Sequence, residues 1–121
     1  MERAFLVTTP IYYISGNPHI GHAYTTIAAD VLARTARSAG PAFALTGTDE
    51  HGQKVANAAA LAGKTPQEYV DDLVPRWRSL APLMDARFDA FIRTTDPRHI
   101  ATCVAVFEKL RASGDIYLCT Y

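Results

Sequence analysis

Two histidines three residues apart follow the first apolar run of the sequence. His19 and His22 come directly after a Gly16-Asn17-Pro18 turn, and their spacing puts both imidazoles on one face of a starting helix. The N-terminus of a helix presents free backbone N–H groups and a partial positive charge, which suit a phosphate group. Two imidazoles there would add donors for charge on a transferred phosphoryl group. The pattern predicts a nucleotide site without a Walker lysine.

The histidine spacing has two other interpretations, a metal-binding pair and surface residues without a function. Gly21 lies between the two histidines and leaves room for a flat base against the backbone. The preceding turn and the position after a strand favour the nucleotide site, because parallel sheets bind ligands beyond the carboxyl ends of their strands.

A second polar group, residues 47–52 (GTDEHG), follows the second apolar run. Its acidic pair, Asp49 and Glu50, can hold an ammonium group or a ribose hydroxyl. If this group stood alone, helix capping by Thr48 or Asp49 would be the preferred explanation. Glu50 and His51 also suggest a metal site, but no further ligands stand at a convincing spacing. We therefore expect no metal site.

A third group begins at Arg93, which faces either the ligand edge of the sheet or solvent. We expect Thr95 or Asp96 to cap the helix that follows. Cys103 lies on the apolar side of that helix and is predicted to be a small core residue. Trp77, on an earlier helix, is predicted to pack in the core.

The elements that position these groups alternate along the chain. Apolar runs predict strands over residues 4–8, 42–46 and 91–94, and helical periodicity fills the segments between them. Pro18 is expected at the first position of the first helix, and Pro75 is expected to kink or divide the third. Strands separated by helices indicate an α/β fold with parallel strands. Three such strands with flanking helices make half of a doubly wound fold.

The composition excludes several classes of protein. The chain has 121 residues, a formal net charge of zero and no run of lysines and arginines, so it shows no strong nucleic-acid footprint of its own. Its two cysteines form no C-x-x-C pair. No secretion signal is recognisable, and no apolar run approaches the ~20 residues of a membrane helix. These features predict a cytoplasmic protein with reduced thiols that does not enter a membrane.

Together, the three groups resemble one family, the methionyl-tRNA synthetases. The matching segments are residues 8–13 (TTPIYY), 18–22 (PHIGH), 45–54 (LTGTDEHGQK), 91–95 with His99, and 114–117. The resemblance covers nearly the whole chain. It implies a Rossmann-like class I synthetase fold, with residues 1–121 forming the N-terminal half of the catalytic domain. The chain would end before the connecting insertion that carries the zinc site of the family.

The resemblance also implies a reaction and its site. Methionine and ATP would form methionyl-adenylate and pyrophosphate, with Mg²⁺ bridging the phosphates. His19 and His22 would be catalytic. The residues implied to bind ATP are Pro10, Tyr12, His19, Gly21 and His22. Those implied to bind methionine are Ile11, Tyr13 and Asp49, with Asp49 receiving the α-ammonium group.

Several parts of the family pattern are absent from the sequence, among them the Lys-Met-Ser-Lys-Ser loop, the zinc knuckle and the anticodon-binding domain. Transfer to tRNA(Met) would therefore depend mainly on missing regions, and activity on a complementing C-terminal half. The alternative is a non-catalytic ATP- or adenosine-binding remnant or interaction module. A nucleotidylyltransferase would explain the histidines but not the group around Asp49.

Overall fold

The computed structural model describes residues 4–120. They form four strands and four helices in an α/β arrangement, as the sequence predicts. In chain order these elements are β1 (Phe5–Thr8), β2 (Tyr12–Tyr13), α1 (Ile20–Ala39), β3 (Ala42–Asp49), α2 (Gln53–Leu61), α3 (Pro66–Leu83), β4 (Ala90–Arg93) and α4 (Pro97–Ser113).

All strand pairs of the sheet are parallel, and β3 is the central strand. Leu45 pairs with Thr8 of β1 and also with β4, while Thr48 pairs with Tyr12 of β2 and also with β4. A residue has only two neighbours in a sheet, so β1 and β2 lie in succession on the same side of β3. The sheet is thus three strands wide. The first predicted strand corresponds to β1 and ends before Pro10, which has no N–H to donate. The short strand β2 beyond Pro10 was not predicted.

The two faces of the sheet are covered to different degrees. A buried cluster against α1 is formed by Val7, Ala29, Ala33 and Ala44. Because strand side chains alternate, the neighbouring pair Leu6 and Phe43 has the opposite orientation, and these side chains are 62% and 44% exposed. A second buried cluster joins β2 to α2 and α3 through Tyr12, Ile14, Val55, Val70, Val74 and Trp77.

The helix starts differ from the prediction in one place. The first helix begins at Ile20 rather than at Pro18, because His19 has extended backbone angles and acts as the N-cap. The third helix starts as predicted, with the Thr65 side chain accepting from the Glu68 N–H and Glu68 returning a bond to Thr65. Pro75 was predicted to kink or divide this helix; it does not divide it, since α3 continues through Pro75 to Leu83, and the kink stays a prediction.

The last helix does not form part of the core. No residue of α4 is buried, and its apolar side chains Ile100, Val104 and Phe107 are about half exposed. The prediction that Cys103 is a core residue is therefore wrong: the apolar side of α4 exists, but no described element covers it. No helix within residues 4–120 has both the length and the apolar character needed to span a bilayer.

Candidate active site

Parallel strands bring the predicted site residues to one edge of the sheet. Thr8, Tyr13, Asp49 and Arg93 stand at the carboxyl ends of their strands, and ligands of such sheets bind beyond that edge. The fold therefore places the histidine group, the Asp49 group and the Arg93 group around the same end of the molecule.

His19 and His22 cap α1 reciprocally. The Nδ1 atom of His19 accepts a hydrogen bond from the Gly21 N–H at 3.2 Å, and the Nδ1 atom of His22 accepts from the His19 N–H at 3.1 Å. The ring centroids are 3.8 Å apart, so the two imidazoles share one face as expected. Since both Nδ1 atoms are acceptors, the proton of each neutral ring lies on Nε2, which remains available to donate.

Gly21 favours this arrangement for a steric reason. A Cβ atom at position 21 would lie 3.1 Å from Cε1 and 3.2 Å from Nδ1 of His19. Glycine thus lets the His19 ring lie against the backbone of the first helical turn. The sequence predicted that Gly21 makes room for a base. The close approach of the His19 ring is a second reason for a glycine at this position.

The charge state of His22 follows from its surroundings. Partial burial lowers the pKa of His22, and the nearby His19 lowers it further. A neutral His22 at neutral pH keeps a single donor, Nε2–H, beside the N-terminus of α1. The pair offers directional hydrogen bonds to an anion without requiring two adjacent positive charges.

Asp49 and Glu50 are neighbours with different environments. The Glu50 side chain is fully buried and accepts hydrogen bonds from Thr48, Thr95 and both Nε and Nη2 of Arg93. Burial alone raises its pKa, but these hydrogen bonds and the Arg93 charge produce a net lowering. Glu50 is therefore an ionised structural group, and no described residue makes a hydrogen bond to the Asp49 carboxylate.

Asp49 lies beside Tyr13 in the sheet. The two residues are paired in register and share a face, with Asp49 half-buried and Tyr13 57% exposed. The Lys54 ammonium lies 5.9 Å from the centre of the Tyr13 ring, a cation–π distance. Ile11 is also exposed, at 41%. This group combines a carboxylate, an aromatic ring and an aliphatic side chain at the open edge of the sheet.

Tyr12 faces the other way, towards His22. It is 7% exposed, and its hydroxyl lies 3.0 Å from the Thr26 Oγ1 atom and 3.5 Å from the His22 carbonyl oxygen. Its ring meets the His22 ring edge-on at 5.0 Å. Tyr12 supports His22 from within the core, while its neighbour Tyr13 is on the face of Asp49. Pro10, which is exposed, precedes both.

The remaining polar groups have structural partners. Thr48 and Asp49 do not cap α2, whose N-cap is Gly52 without a side-chain bond. Asp96 caps α4 as expected, but Thr95 bonds to Glu50 instead. Arg93 was expected to face the ligand edge or solvent. Its guanidinium instead forms ion pairs with Glu50 and with Asp71 of α3.

Sequence reasoning missed two sets of contacts. It did not predict the Glu50–Arg93 pair, although an acid and an arginine at adjacent strand ends are a usable signal. It assigned Trp77 to packing, which is correct for its 3% exposure, but its indole also meets the His22 ring. Within residues 4–120, no group of three or more metal-ligating side chains is present.

The sequence of the chain is similar to that of known proteins. The family model "tRNA synthetases class I (M)" matches residues 5–121. Methionine–tRNA ligase of Streptococcus pyogenes serotype M6 is 56% identical over 122 residues, covering 100% of this chain and 18% of that protein. The corresponding ligase of Thermotoga maritima is 51% identical over 93% of this chain and 18% of its own length. The chain thus spans less than a fifth of these relatives.

Solved structures agree. Mycobacterium tuberculosis methionyl-tRNA synthetase in complex with methionyl-adenylate superimposes with a TM-score of 0.92 at 40% identity, covering 99% of this chain and 24% of that one. A leucyl-tRNA synthetase complex from Agrobacterium radiobacter K84 has a TM-score of 0.78 at 24% identity, a likeness of fold alone. On the family match and the fold, the chain belongs to the methionyl-tRNA synthetase family of class I synthetases.

Proposed function

We propose that this chain is the part of a methionine–tRNA ligase that binds ATP and methionine and supports their reaction to methionyl-adenylate. The observation that carries the proposal is the reciprocal capping of His19 and His22, which leaves two Nε2–H donors beside a helix N-terminus. In the proposed reaction, a methionine carboxylate oxygen attacks the α-phosphorus of ATP. The bond to the β-phosphate oxygen breaks, and pyrophosphate leaves.

The two imidazoles are proposed to stabilise the charge that develops on the phosphate oxygens. Their donors are fixed before substrate binds, because each Nδ1 atom is already held by a backbone N–H. Such preorganised donors accelerate reactions by roughly 10²–10³-fold each. Pro10, Tyr12 and Gly21 are proposed to complete the ATP site, with Tyr12 acting from behind His22.

Asp49 is proposed to bind the α-ammonium group of methionine. Glu50 next to it is fully engaged with four donors, whereas the Asp49 carboxylate stands at the sheet edge beside Tyr13. Ile11 and Tyr13 are proposed to contact the methionine side chain, since an aliphatic wall and an aromatic ring suit a thioether. The relative solved with methionyl-adenylate supports this choice of ligand.

For tRNA(Met) and Mg²⁺ we propose a role but no contact residues in this chain. Residues 1–121 are proposed to form the N-terminal half of the catalytic domain, with tRNA(Met) contacts mainly in other regions. The 18% share of the relatives' length supports this. Mg²⁺ is proposed to accompany ATP, but residues 4–120 contain no cluster of metal-ligating side chains, so we assign it no residue.

The test is methionine-dependent exchange of pyrophosphate into ATP, measured with this chain alone and with a supplied C-terminal half of the synthetase. We expect little or no exchange with the chain alone and clear exchange on complementation. If the folded chain gives no exchange in either case, the alternative of a non-catalytic ATP- or adenosine-binding module replaces the proposal.

Asp49→Asn tests the ammonium contact in the same assay. A hydrogen bond to a charged group is worth about 1.5–3 kcal/mol, so we expect the KM for methionine to rise by roughly 10- to 100-fold. The KM for ATP should change little. Asp85→Asn is the matched control, because Asp85 is an exposed aspartate in a turn after α3. Equal increases in both KM values would contradict the assignment of Asp49.

A further inference from the structure

The loop that leads into α1 is held by α3 through three side chains. We call residues 15–17 the leading loop. The Tyr69 hydroxyl donates to the Ser15 carbonyl oxygen at 3.1 Å, and the Trp77 Nε1–H donates to the Gly16 carbonyl oxygen at 3.0 Å. The third contact, from Arg76 Nη1 to Asn17 Oδ1, measures 2.7 Å. Every residue of the leading loop therefore has a partner on the same helix.

The three donors lie on one side of α3 by helical periodicity. Positions 69, 76 and 77 are spaced i, i+7 and i+8, which places them along one stripe of an α-helix. The leading loop runs along this stripe just before the His19 cap. A shift of the loop would move the N-terminus of α1, and with it both imidazoles.

Trp77 also contacts the second histidine directly. Its ring lies edge-on to the His22 ring with centroids 4.6 Å apart and an interplanar angle of 70°, a favourable aromatic geometry. Tyr12 lies 5.6 Å from Trp77 and 5.0 Å from His22. His22 is thus held by two aromatic rings and by the His19 N–H on its Nδ1 atom.

We propose that α3 is the element that positions the two imidazoles, and that Trp77 is the positioning residue for His22. Trp77 is 3% exposed, so we propose that it acts from behind His22 rather than on the substrate. It acts through the ring contact with His22 and through the hydrogen bond that fixes the leading loop. The proposal rests on the proposed function, since the imidazoles matter only if they bind phosphate.

The first test uses the ligand-free chain and needs no activity. Trp77→Leu removes the indole ring and its N–H. Burial is the main reason that the pKa of His22 lies below 6.5, so we expect the His22 midpoint, measured by NMR of its ring signals, to rise towards that value. His19, the neighbouring titrating group, is followed in the same spectra. The amides of residues 15–17 should also exchange faster with solvent.

Val70→Ala is the matched control for a purely structural effect. Val70 is 1% exposed, lies on α3 and belongs to the same core cluster as Trp77. This variant should lower the melting temperature but leave the His22 midpoint unchanged. The proposal is overturned if Trp77→Leu leaves the midpoint at the wild-type value, or if Val70→Ala shifts it equally.

The second test measures the effect on the reaction. Trp77→Phe keeps an aromatic ring but removes the donor to Gly16, and loss of one hydrogen bond corresponds to roughly a 2- to 12-fold change. With the C-terminal half supplied, we expect the kcat of pyrophosphate exchange to fall by that factor, with an unchanged KM for methionine. An unchanged kcat would overturn the functional role of Trp77. If the wild-type chain shows no exchange even with the supplied C-terminal half, the proposed function fails, while the NMR test still decides the positioning.

Discussion

At the scale of single residues, the two histidines have a structural role as caps, and the proposed function adds a chemical role. Each uses Nδ1 to accept a backbone N–H at the start of α1, and this leaves the Nε2–H donor that we propose for ATP. The sequence predicted their common face from a spacing of three, but it did not predict that His19 is the N-cap. Histidine is an uncommon cap, so propensity favours Pro18 as the helix start.

His19→Asn separates the two roles. Asparagine is a strong N-cap, so we expect the free energy of unfolding to stay within about 0.5 kcal/mol of wild type. The imidazole donor is lost, and the rate of methionine activation should fall by roughly 10²–10³-fold. His19→Ala should show the same loss of rate together with about 1 kcal/mol of destabilisation. A rate unchanged in His19→Asn would remove His19 from catalysis.

At the scale of elements, the sheet edge is stabilised by a buried ion pair. Glu50 at the end of β3 binds Arg93 at the end of β4 through bonds of 2.8 to 3.0 Å, and Arg93 extends to Asp71 of α3 at 2.5 Å. The hydrogen bonds to Glu50 are the main cause of the raised pKa of Arg93. Together with Asp71, the pair joins β3, β4 and α3 directly beside Asp49.

Arg93→Met should be strongly destabilising, because it leaves a buried carboxylate without its partner. We expect a loss of about 3 kcal/mol at neutral pH in urea unfolding. The pKa of Glu50 is lowered in the folded chain, so its contribution is present above the ordinary value of 4.5 and is lost as the pH falls through the folded value. The difference in the free energy of unfolding between the variant and the wild type should therefore narrow as the pH falls below the pKa of Glu50 in the folded chain.

Arg111→Met is the control for the Arg93 variant. Arg111 pairs with Glu108 on the exposed side of α4, where both side chains are more than half exposed. Exposed pairs contribute about 0–1 kcal/mol, so its loss should be small and nearly independent of pH. Equal effects of the two substitutions would contradict the structural role of the buried pair.

The approach of β3 and β4 depends on Gly47. A Cβ atom at this position would lie 2.2 Å from the Ile92 carbonyl oxygen and 2.6 Å from its Cγ2 atom, so the two strands would have to separate. Overpacking costs about 1–3 kcal/mol. We therefore expect Gly47→Ala to lower the free energy of unfolding by about 3 kcal/mol or more. Gly40→Ala, where nothing lies within 4 Å, should change it by under about 0.5 kcal/mol. Similar values for both would contradict the close approach.

At the scale of the whole molecule, local patterns predicted the elements better than their contacts. Strand and helix order follows from apolar periodicity and turn residues, and the sheet is parallel as predicted. The covering of a helix depends on what packs against it, which periodicity cannot show. Cys103 is exposed for that reason, although its helix has the predicted apolar side. Likewise, the partners of Arg93 and Trp77 lie 43 and 61 residues away in sequence, beyond any local pattern.

The central claim is that the loops after β1/β2 and β3 serve one ligand. Backbone register joins them, since Tyr12 supports His22 while Tyr13 pairs with Asp49. The two residues of β2 that meet these groups, Tyr12 and Tyr13, are adjacent in sequence and point to opposite faces of the sheet. Binding of one adenylate to both groups can be measured without turnover.

The direct measurement is an NMR titration of the 121-residue chain with a non-hydrolysable methionyl-adenylate analogue, followed through backbone amides. We expect the signals of Gly21 and His22 and those of Asp49 to shift together, with one dissociation constant. Adenosine alone should shift only the histidine group. If the analogue shifts only one of the two groups, or shifts them with different dissociation constants, the account of a shared activation site is contradicted.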